Sequence, residues 1–472
     1  MRKLPVLFVA LAAMMGCRND AAAVQTALSP GQENFRTAVR AFYLWRCGTE
    51  VDGDHNGNHY HIDACHLKDG RTAYVDADSP VLTQEQLAAN TARRDGTGGW
   101  HDAGDFGKYT VNAGITMGML FYAWDHFKDK ISAVGLDLPE TAPGFPEYLE
   151  ELKWETDFML KMEYPDGTGR VSHKLTRQAF SAFIMPQDDD ADRFFTVWSS
   201  AATADFAAVM AMASVRFRPY DAAYADKCLE AAKRSWAYLE AHPEDKLFEQ
   251  GDFSTGSYWT TDPDDRLWAA AEMWAATGEP QYLAEAESMI SGKAVADDWD
   301  WGMVSNLGLW TYALCNRQGK NPALLAKVIE STVESADRLV ANAANDPYGC
   351  ALKNYYWGCN GTACRQAINL HVADILRPDP SYAQTISGIA DYILGNNYYK
   401  RSFVTGVGVN PPMHPHDRRS AADGIEAPWP GYLVGGGHTP TDWVDNQDDY
   451  SRNEIAINWQ GALVYLLAAV LE

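Results

Sequence analysis

Hydrophobic positions along the chain recur mainly at helical spacing. Amphipathic or Ala-rich stretches lie near 33–46, 106–129, 146–163, 198–217, 221–241 and 264–277. Others follow near 281–291, 303–317, 321–344, 361–376, 381–395 and 452–471. Many stop at Gly or Pro, as at Pro243 and Gly278, the residues that punctuate helices. Period-two strand patterns are scarce, and no short tandem repeat is present. A dozen helices joined by long Gly-, Pro- and Asp-rich connections predict a helical double ring rather than a simple bundle. The connections 48–98 and 396–450 are longer than usual, and long connections tend to carry function.

Composition narrows the choice of partner. The chain has 472 residues, 46% of them hydrophobic, enough for a large core in a single barrel-sized unit. A formal charge of −24 argues against nucleic acid, whose phosphates it would repel. With 16 Trp, 23 Tyr and 17 Phe, the chain is rich in flat surfaces. Most will be core, and a minority can stack on sugar rings. An acidic, aromatic-rich protein suits an uncharged polymer.

The N-terminus, "MRKLPVLFVALAAMMGCRND", has a basic start and a short apolar run followed by Gly16-Cys17. That run is too short for a permanent membrane helix and predicts an export signal over 1–17. The small residue before Cys17 points to lipoprotein processing, with Cys17 lipidated and anchoring the protein at the cell envelope. Met14 and Met15 leave simple secretion open. Residues 18–30 then form a linker and 31–472 the folded domain. Among the other cysteines, Cys228 sits on an apolar helical face with Ala225, Ala232, Trp236 and Leu239, as a buried thiol would. Cys350, Cys359 and Cys364 share one loop and can form one bridge with one thiol left over.

Three motifs carry candidate chemistry. In "GGWHDAGDFGKY", 98–109, two carboxylates and an imidazole crowd into five positions: His101, Asp102 and Asp105. Asp105 could instead simply cap a helix beginning near Phe106. In "YSRNEIAINWQGALVY", 450–465, Glu454 stands at the start of the last helix, where an acid also offsets the helix dipole. In "NPPMHPHDRRS", 410–420, a Pro-rigidified loop presents His414, His416, Asp417, Arg418 and Arg419, or forms a solvated surface loop. Cys47, Cys65, His66 and His101 make a two-thiolate, two-imidazole set suited to tetrahedral zinc. A Cys47–Cys65 disulfide is the alternative, and His55, His59 and His61 of "DHNGNHYHIDACH" compete for the assignment.

Taken together, "GGWHDAGDFGKY", "SAATADFAAVMAMAS", "SFVTGVGVNPPMHPHDR", "PWPGYLVGG" and "NEIAINW" occur in an order that resembles glycoside hydrolase family 9 over about 33–472. The resemblance implies an all-α (α/α)6 barrel and inverting cleavage of β-1,4-glucans. It is strongest to the branch whose cellulases carry an immunoglobulin-like module ahead of the barrel. Only some thirty residues precede the barrel here, and the module is expected to be absent. The same likeness implies Asp105 as general base, Asp102 as its positioning partner and Glu454 as general acid. It implies that His416 and Arg418 grip the sugar, that Trp259 and Trp357 stack along the cleft, and that Trp459 lines the wall near the acid. In the matching branch Cys47, Cys65, His66 and His101 hold a structural zinc, which would anchor the turn that aims Asp102 and Asp105. Gly98 and Gly99 would permit that turn.

Two departures stand out. The family commonly has His-His-Arg where this chain has His416-Asp417-Arg418, placing an extra carboxylate beside the expected sugar subsite. "WTTDPDDRLW" is similar to a family calcium loop, with Thr260, Asp264 and Asp265 as ligands, but a further aspartate near "WDWGMVS" is missing unless Asp300 substitutes. The expected function is therefore an exported endo-β-1,4-glucanase, monomeric, acting on β-glucan or cello-oligosaccharides. Exo-action on glucosides or, given Asp417, on glucosaminides is the rival within the family. A sugar-binding protein without catalysis and a zinc hydrolase are the rivals outside it. The first would have to keep three acids to no purpose, and the second has no open zinc position.

Overall fold

The computed structural model describes residues 28–76, 78–140 and 143–472. The predicted signal, Cys17 and most of the 18–30 linker lie outside the described residues. All twelve predicted helices are present. In chain order they are α1 (Pro30–Leu44), α2 (Thr110–Ser132), α3 (Glu147–Met162), α4 (Ser200–Phe217), α5 (Ala222–Ala241) and α6 (Pro263–Thr277). Then come α7 (Pro280–Ile290), α8 (Ser305–Leu314), α9 (Pro322–Asn345), α10 (Cys359–Leu376), α11 (Pro380–Leu394) and α12 (Ile457–Ala469).

Burial sorts them into two rings. Every residue from Ser200 to Ser214 in α4 and from Ile457 to Ala468 in α12 is buried, as are Thr110–Trp124 of α2. A helix apolar on all sides belongs inside. In α9 the buried positions are Val328, Thr332, Val333, Ser335, Ala336, Leu339 and Ala343, all on one side of the helix. Helices α2, α4, α6, α8, α10 and α12 therefore form the inner ring: α2 packs on α4 and α12, α4 on α6, α6 on α8, and α10 on α12. Trp299 bridges α8 and α10, its ring 5.5 Å from Trp310 and its Nε1 donating to Asn369 at 2.9 Å. The outer helices lean on this wall: α1 on α12, α3 on α2, α5 on α4, α7 on α6, α9 on α8 and α10, α11 on α10.

The helix ends follow local chemistry. Ser29 and Gln32 form a reciprocal capping box on α1. Ser199, Asp221, Asn321 and Asp379 cap α4, α5, α9 and α11 with their side chains. Gly278 ends α6 at φ +74, a left-handed backbone that favours glycine.

The connection 48–98 folds into structure of its own. An antiparallel hairpin pairs β1 (Val51–His55) with β2 (Asn58–Ile62). Downstream, β3 (Arg71–Thr72), β4 (Lys108–Tyr109), β5 (Lys174–Thr176) and β6 (Phe194–Phe195) build a small sheet in the order β3-β6-β5-β4. Strand β4 leads directly into α2, so the sheet is sewn to the segment that carries Asp102 and Asp105. Helix α2 begins at Thr110 rather than near Phe106, because that turn and β4 occupy the residues between. No described helix is long and apolar enough to cross a membrane.

Candidate active site

The segment 98–109 enters on two glycines held at φ +90 and +75. At Gly99 a Cβ would also lie 2.5 Å from the Phe158 ring. The chain then makes backbone bonds on both sides: His101 N–H to Trp45 O at 2.9 Å, and Ile457 N–H to Asp102 O at 2.8 Å. These fix Asp102 and Asp105 against the start of α12. Asp105 caps no helix. Its carboxylate accepts from the Gly107 N–H at 2.9 Å and the Tyr109 hydroxyl at 3.2 Å. Asp102 accepts from Asn112 at 2.7 Å and from the Tyr258 hydroxyl at 2.6 Å.

Glu454 is not in the last helix. It follows a short helical turn, Tyr450–Asn453, in extended backbone, and α12 starts three residues later. It pairs as a bridge with His416, whose N–H donates to Asn453 O at 2.8 Å. Arg418 ties the two loops together, donating to Gly104 O at 2.6 Å and to Ser181 O at 3.1 Å. The approach is close: a Cβ on Gly104 would sit 2.0 Å from the His416 carbonyl oxygen. Only glycine fits there.

Asp102, Asp105 and Glu454 all face one cleft of about 720 Å³. Its walls include Tyr109, Phe180, Tyr258, Trp299, Trp301, Tyr356, Trp357 and Trp459. Trp357 is 47% exposed and free to present its face, while Trp459 is buried as a wall. Trp259 is half exposed beside Tyr258 and is not part of this cavity's lining. His416 and Arg418 are not among this cavity's lining residues; His416 stands beside Glu454, its Nδ1–H donating to Gln447 O at 2.7 Å and its ring 5.2 Å from Phe183.

Two of the acids have their proton affinity raised. Burial, then the charges of Asp105 and Asp102, push the Glu454 carboxyl well above the ordinary range, and Arg418 pulls it back in part. Burial and the Asp105 charge likewise push Asp102 up, against the hydrogen bonds from Tyr258 and Asn112. Behind Tyr109, burial drops Lys174 to about 7 while Asp105 pulls the other way. A site with one acid kept neutral beside another carboxylate is equipped to deliver one proton and accept another.

Several expectations need correction. Asp417 does not face the cleft. It is buried, caps the short helix Arg418–Ala422 through the Arg419 and Ser420 N–H groups, and pairs with the Arg419 guanidinium at 3.0 Å. The observation that favoured an aminosugar is thereby removed. Cys350, Cys359 and Cys364 are all free and buried, with no bridge among them. Cys47 and Cys65 are free as well, which removes the disulfide alternative. Cys228 is buried as expected.

Cys47, Cys65, His66 and His101 bring their ligand atoms within 4.8 Å of one another. His55 turns instead to the Gly406 carbonyl, and His59 and His61 stay on the exposed face of the hairpin. Asp264 and Asp265 belong to no comparable group among the described residues. Asp264 accepts from the Val304 N–H at 2.6 Å, and the Thr260 hydroxyl reaches Gly302 O at 3.5 Å. Asp265 is buried against Asp205 instead. Asp300 lines the cleft, bound to Arg365 at 2.7 Å and Asn458 at 2.6 Å. Sequence reasoning missed Tyr258 and Asn112. The first carries a signal in the fold, a non-glycine φ of +43 that holds its hydroxyl on Asp102.

A double ring of helices, with acids gathered in an open aromatic cleft at one end, defines a hydrolase of glycans. Known proteins agree. The family model described as glycosyl hydrolase family 9 matches residues 32–467, and the chain belongs to that family. It is 49% identical to Endoglucanase D of Acetivibrio thermocellus, over 94% of this chain and 70% of that protein. It is 32% identical to the xyloglucan-specific endo-beta-1,4-glucanase BoGH9A of Bacteroides ovatus, over 92% of this chain and 77% of that one. Among solved structures, the Zn-binding triple mutant of GH family 9 endoglucanase J30 superimposes with a TM-score of 0.86 at 30% identity, covering 94% of this chain and 85% of its own.

Proposed function

We propose that the protein is an endo-β-1,4-glucanase that cleaves β-glucan chains by single-displacement inversion. The observation that carries this reading is the convergence of Asp102, Asp105 and Glu454 on one aromatic-lined cleft. The 49% identity with Endoglucanase D supports the endo mode and the substrate class. In this reading Asp105 takes a proton from water as the water oxygen attacks the anomeric carbon. Glu454 gives its proton to the departing glycosidic oxygen as the carbon–oxygen bond breaks. Asp102, whose carboxyl burial and the Asp105 charge push upward, helps hold the water beside Asp105. His416 and Arg418 grip the sugar beside Glu454, Trp357 and Trp259 supply faces for pyranose rings, and Trp459 lines the wall near the acid.

Cys47, Cys65, His66 and His101 are proposed to hold a structural zinc. Tetrahedral zinc, with bonds of about 2.3 Å to sulfur and about 2.0 Å to nitrogen, sets N···N near roughly 3.3 Å and S···N near roughly 3.5 Å. Here His66 and His101 nitrogens are 3.2 Å apart, Cys47 is 3.6 Å from His66, and Cys65 is 3.9 Å from His101. Asp189 stands 3.5 Å from the far nitrogen of His66, as a ligating histidine's outer partner does. The Lys108 ammonium lies 3.5 Å from Cys47, supporting its thiolate. Four protein ligands leave the ion no place for water, so its role is to staple the turn. Calcium at Thr260 and Asp264, beside the Gly302–Val304 turn, is the weaker metal proposal, because Asp265 points elsewhere. Export with a lipidated Cys17 rests on the N-terminal sequence alone.

Digestion of cellopentaose and barley β-glucan with product NMR tests the reading. Internal cleavage with the α-anomer appearing first is expected. Release of glucose only from chain ends, or a first-formed β-anomer, overturns the endo or the inverting assignment respectively.

A further inference from the structure

The hairpin β1–β2 carries a side-chain cluster that the catalytic reading leaves unused. Asp52 stands opposite His61 and Asp54 opposite His59. Side chains alternate across a strand, so all four share one face. That face is exposed, whereas Val51, Gly53, Tyr60 and Ile62 point inward. One ligand atom each from Asp52, His59 and His61 falls within 4.8 Å of the others.

Each ring turns one nitrogen toward Asp52, Nδ1 from His61 and Nε2 from His59. His61 Nδ1 lies 2.7 Å and His59 Nε2 3.4 Å from the same Asp52 oxygen. Tetrahedral zinc bonds of about 2.0 Å put neighbouring donors about 3.3 Å apart; the His59 separation matches that value and the His61 separation is shorter, at hydrogen-bond length. The outer nitrogens are tied to carboxylates of their own: His59 Nδ1 to Asp54 at 2.8 Å and His61 Nε2 to Asp63 at 3.2 Å. If both outer nitrogens donate, both inner nitrogens turn lone pairs toward an oxygen that also only accepts. Only shared positive charge between them, protons or a metal ion, resolves that arrangement. Metal-ligating histidines have their far N–H held in this way by carboxylates.

We propose that Asp52, His59 and His61 form a second metal site, open to solvent, for a borderline divalent ion such as Zn2+. Two imidazoles and one carboxylate suit that class of ion, and neither a thiolate-preferring nor an all-oxygen cation fits them as well. Three protein ligands leave the remaining positions to water, so this site holds its ion less firmly than the buried four-ligand cluster. Asp54 and Asp63 position the rings, and the protein's charge of −24 favours cation capture. His59 and His61 are thus not competitors for the Cys47 cluster. They serve a different ion, four residues upstream of Cys65 in the case of His61.

Calorimetric titration of Zn2+ into the protein as purified, after a wash with a weak chelator that spares tightly held metal, tests this. Bound zinc is counted in parallel by elemental analysis. The wild type is expected to take up one further equivalent. His59→Gln and His61→Gln lose it, with unchanged circular dichroism and the tightly held metal retained. Asp54→Asn weakens it by about tenfold, as removal of an outer partner does. His242→Gln, an exposed histidine elsewhere, binds like the wild type. If the wild type takes no further equivalent, or if both hairpin variants take it as well as the wild type does, the cluster is a proton-shared surface network and the proposal fails.

Discussion

His101 and Asp102 are neighbours in the chain and face opposite worlds. His101 turns inward to two thiols and a second imidazole, in a cluster buried on every side. Asp102 turns toward a cleft where burial and the Asp105 charge raise its own proton affinity and that of Glu454. The first neighbourhood gathers ligand atoms around a point, which stabilises the fold when a cation sits there. The second gathers like charges, which destabilises the fold and equips it for chemistry. Alternation of side chains along one extended segment lets a single stretch do both. The stable side holds the strained side in place.

The comparison is broken most severely from the cleft side. Glu454→Gln keeps the shape but removes the proton, so turnover on β-glucan should fall by roughly 10^2–10^4-fold with no loss of Tm. A substrate with a good phenolic leaving group needs less protonation and should lose far less. Equal losses on both substrates would count against Glu454 as the acid. Asp105→Ala should be at least as damaging, with partial rescue by azide if a small anion can replace the base.

From the other side, Cys65→Ser should lower Tm by several degrees and reduce activity together. Metal analysis should show the tightly held ion lost at the same time, since binding to the folded site is folding free energy. Full activity at a lowered Tm would separate anchor from cleft and end the argument that one steadies the other.

Arg418 sharpens the picture through pH. Among the groups acting on Glu454 it lowers the proton affinity, while burial and the two aspartates raise it. Arg418→Gln should therefore raise the Glu454 value further and keep the acid protonated to higher pH. The alkaline limb of kcat moves up, even as kcat itself falls from poorer sugar binding. A limb that stays put or moves down would show that another group sets it.

The smallest effect concerns Glu155, which lies beneath the motif and accepts the Trp100 N–H at 2.7 Å. Burial pushes its carboxyl up to about 8, against that hydrogen bond. The unfolded value is near 4.3, so between about 4.3 and about 8 the folded state binds a proton that the unfolded state does not. Stability contributed by this group is thus present at low pH and is lost as pH rises through that window. Glu155→Gln retains an acceptor and should flatten the decline of Tm from pH ~5 to ~8. Parallel slopes in both proteins would assign the titration elsewhere.

The helices were legible because their apolar residues repeat at a period that burial on one face or all faces demands. Boundaries failed where a motif intervened, as in the three residues between Phe106 and Thr110. The strands were not legible: β3, β4 and β6 are two residues each, too short for alternation to register. Of the cleft, the residues in long motifs could be read, whereas Tyr258 and Asn112 could not. Tyr258 meets Asp102 across 156 positions, a pairing made only by the tertiary fold, and Asn112 meets it ten positions on, after a turn and a two-residue strand that no pattern announces. Asp417 misled for the opposite reason. It lies between His416 and Arg418, and the start of a five-residue helix turns it toward Arg419 instead.

Gly104 and His416 stand 312 positions apart, and their backbones meet with no room for a methyl group. That contact works like a rivet through the jaws of a caliper, fixing the gap between the segment bearing Asp105 and the loop ahead of Glu454. The gauge at the point of cleavage is therefore built into main chain rather than into exchangeable side chains. Under the proposed sugar path, glucans with different decorations are told apart farther along the groove, at exposed rims such as Trp357. Attempts to retune preference should leave the rivet alone and reshape those rims.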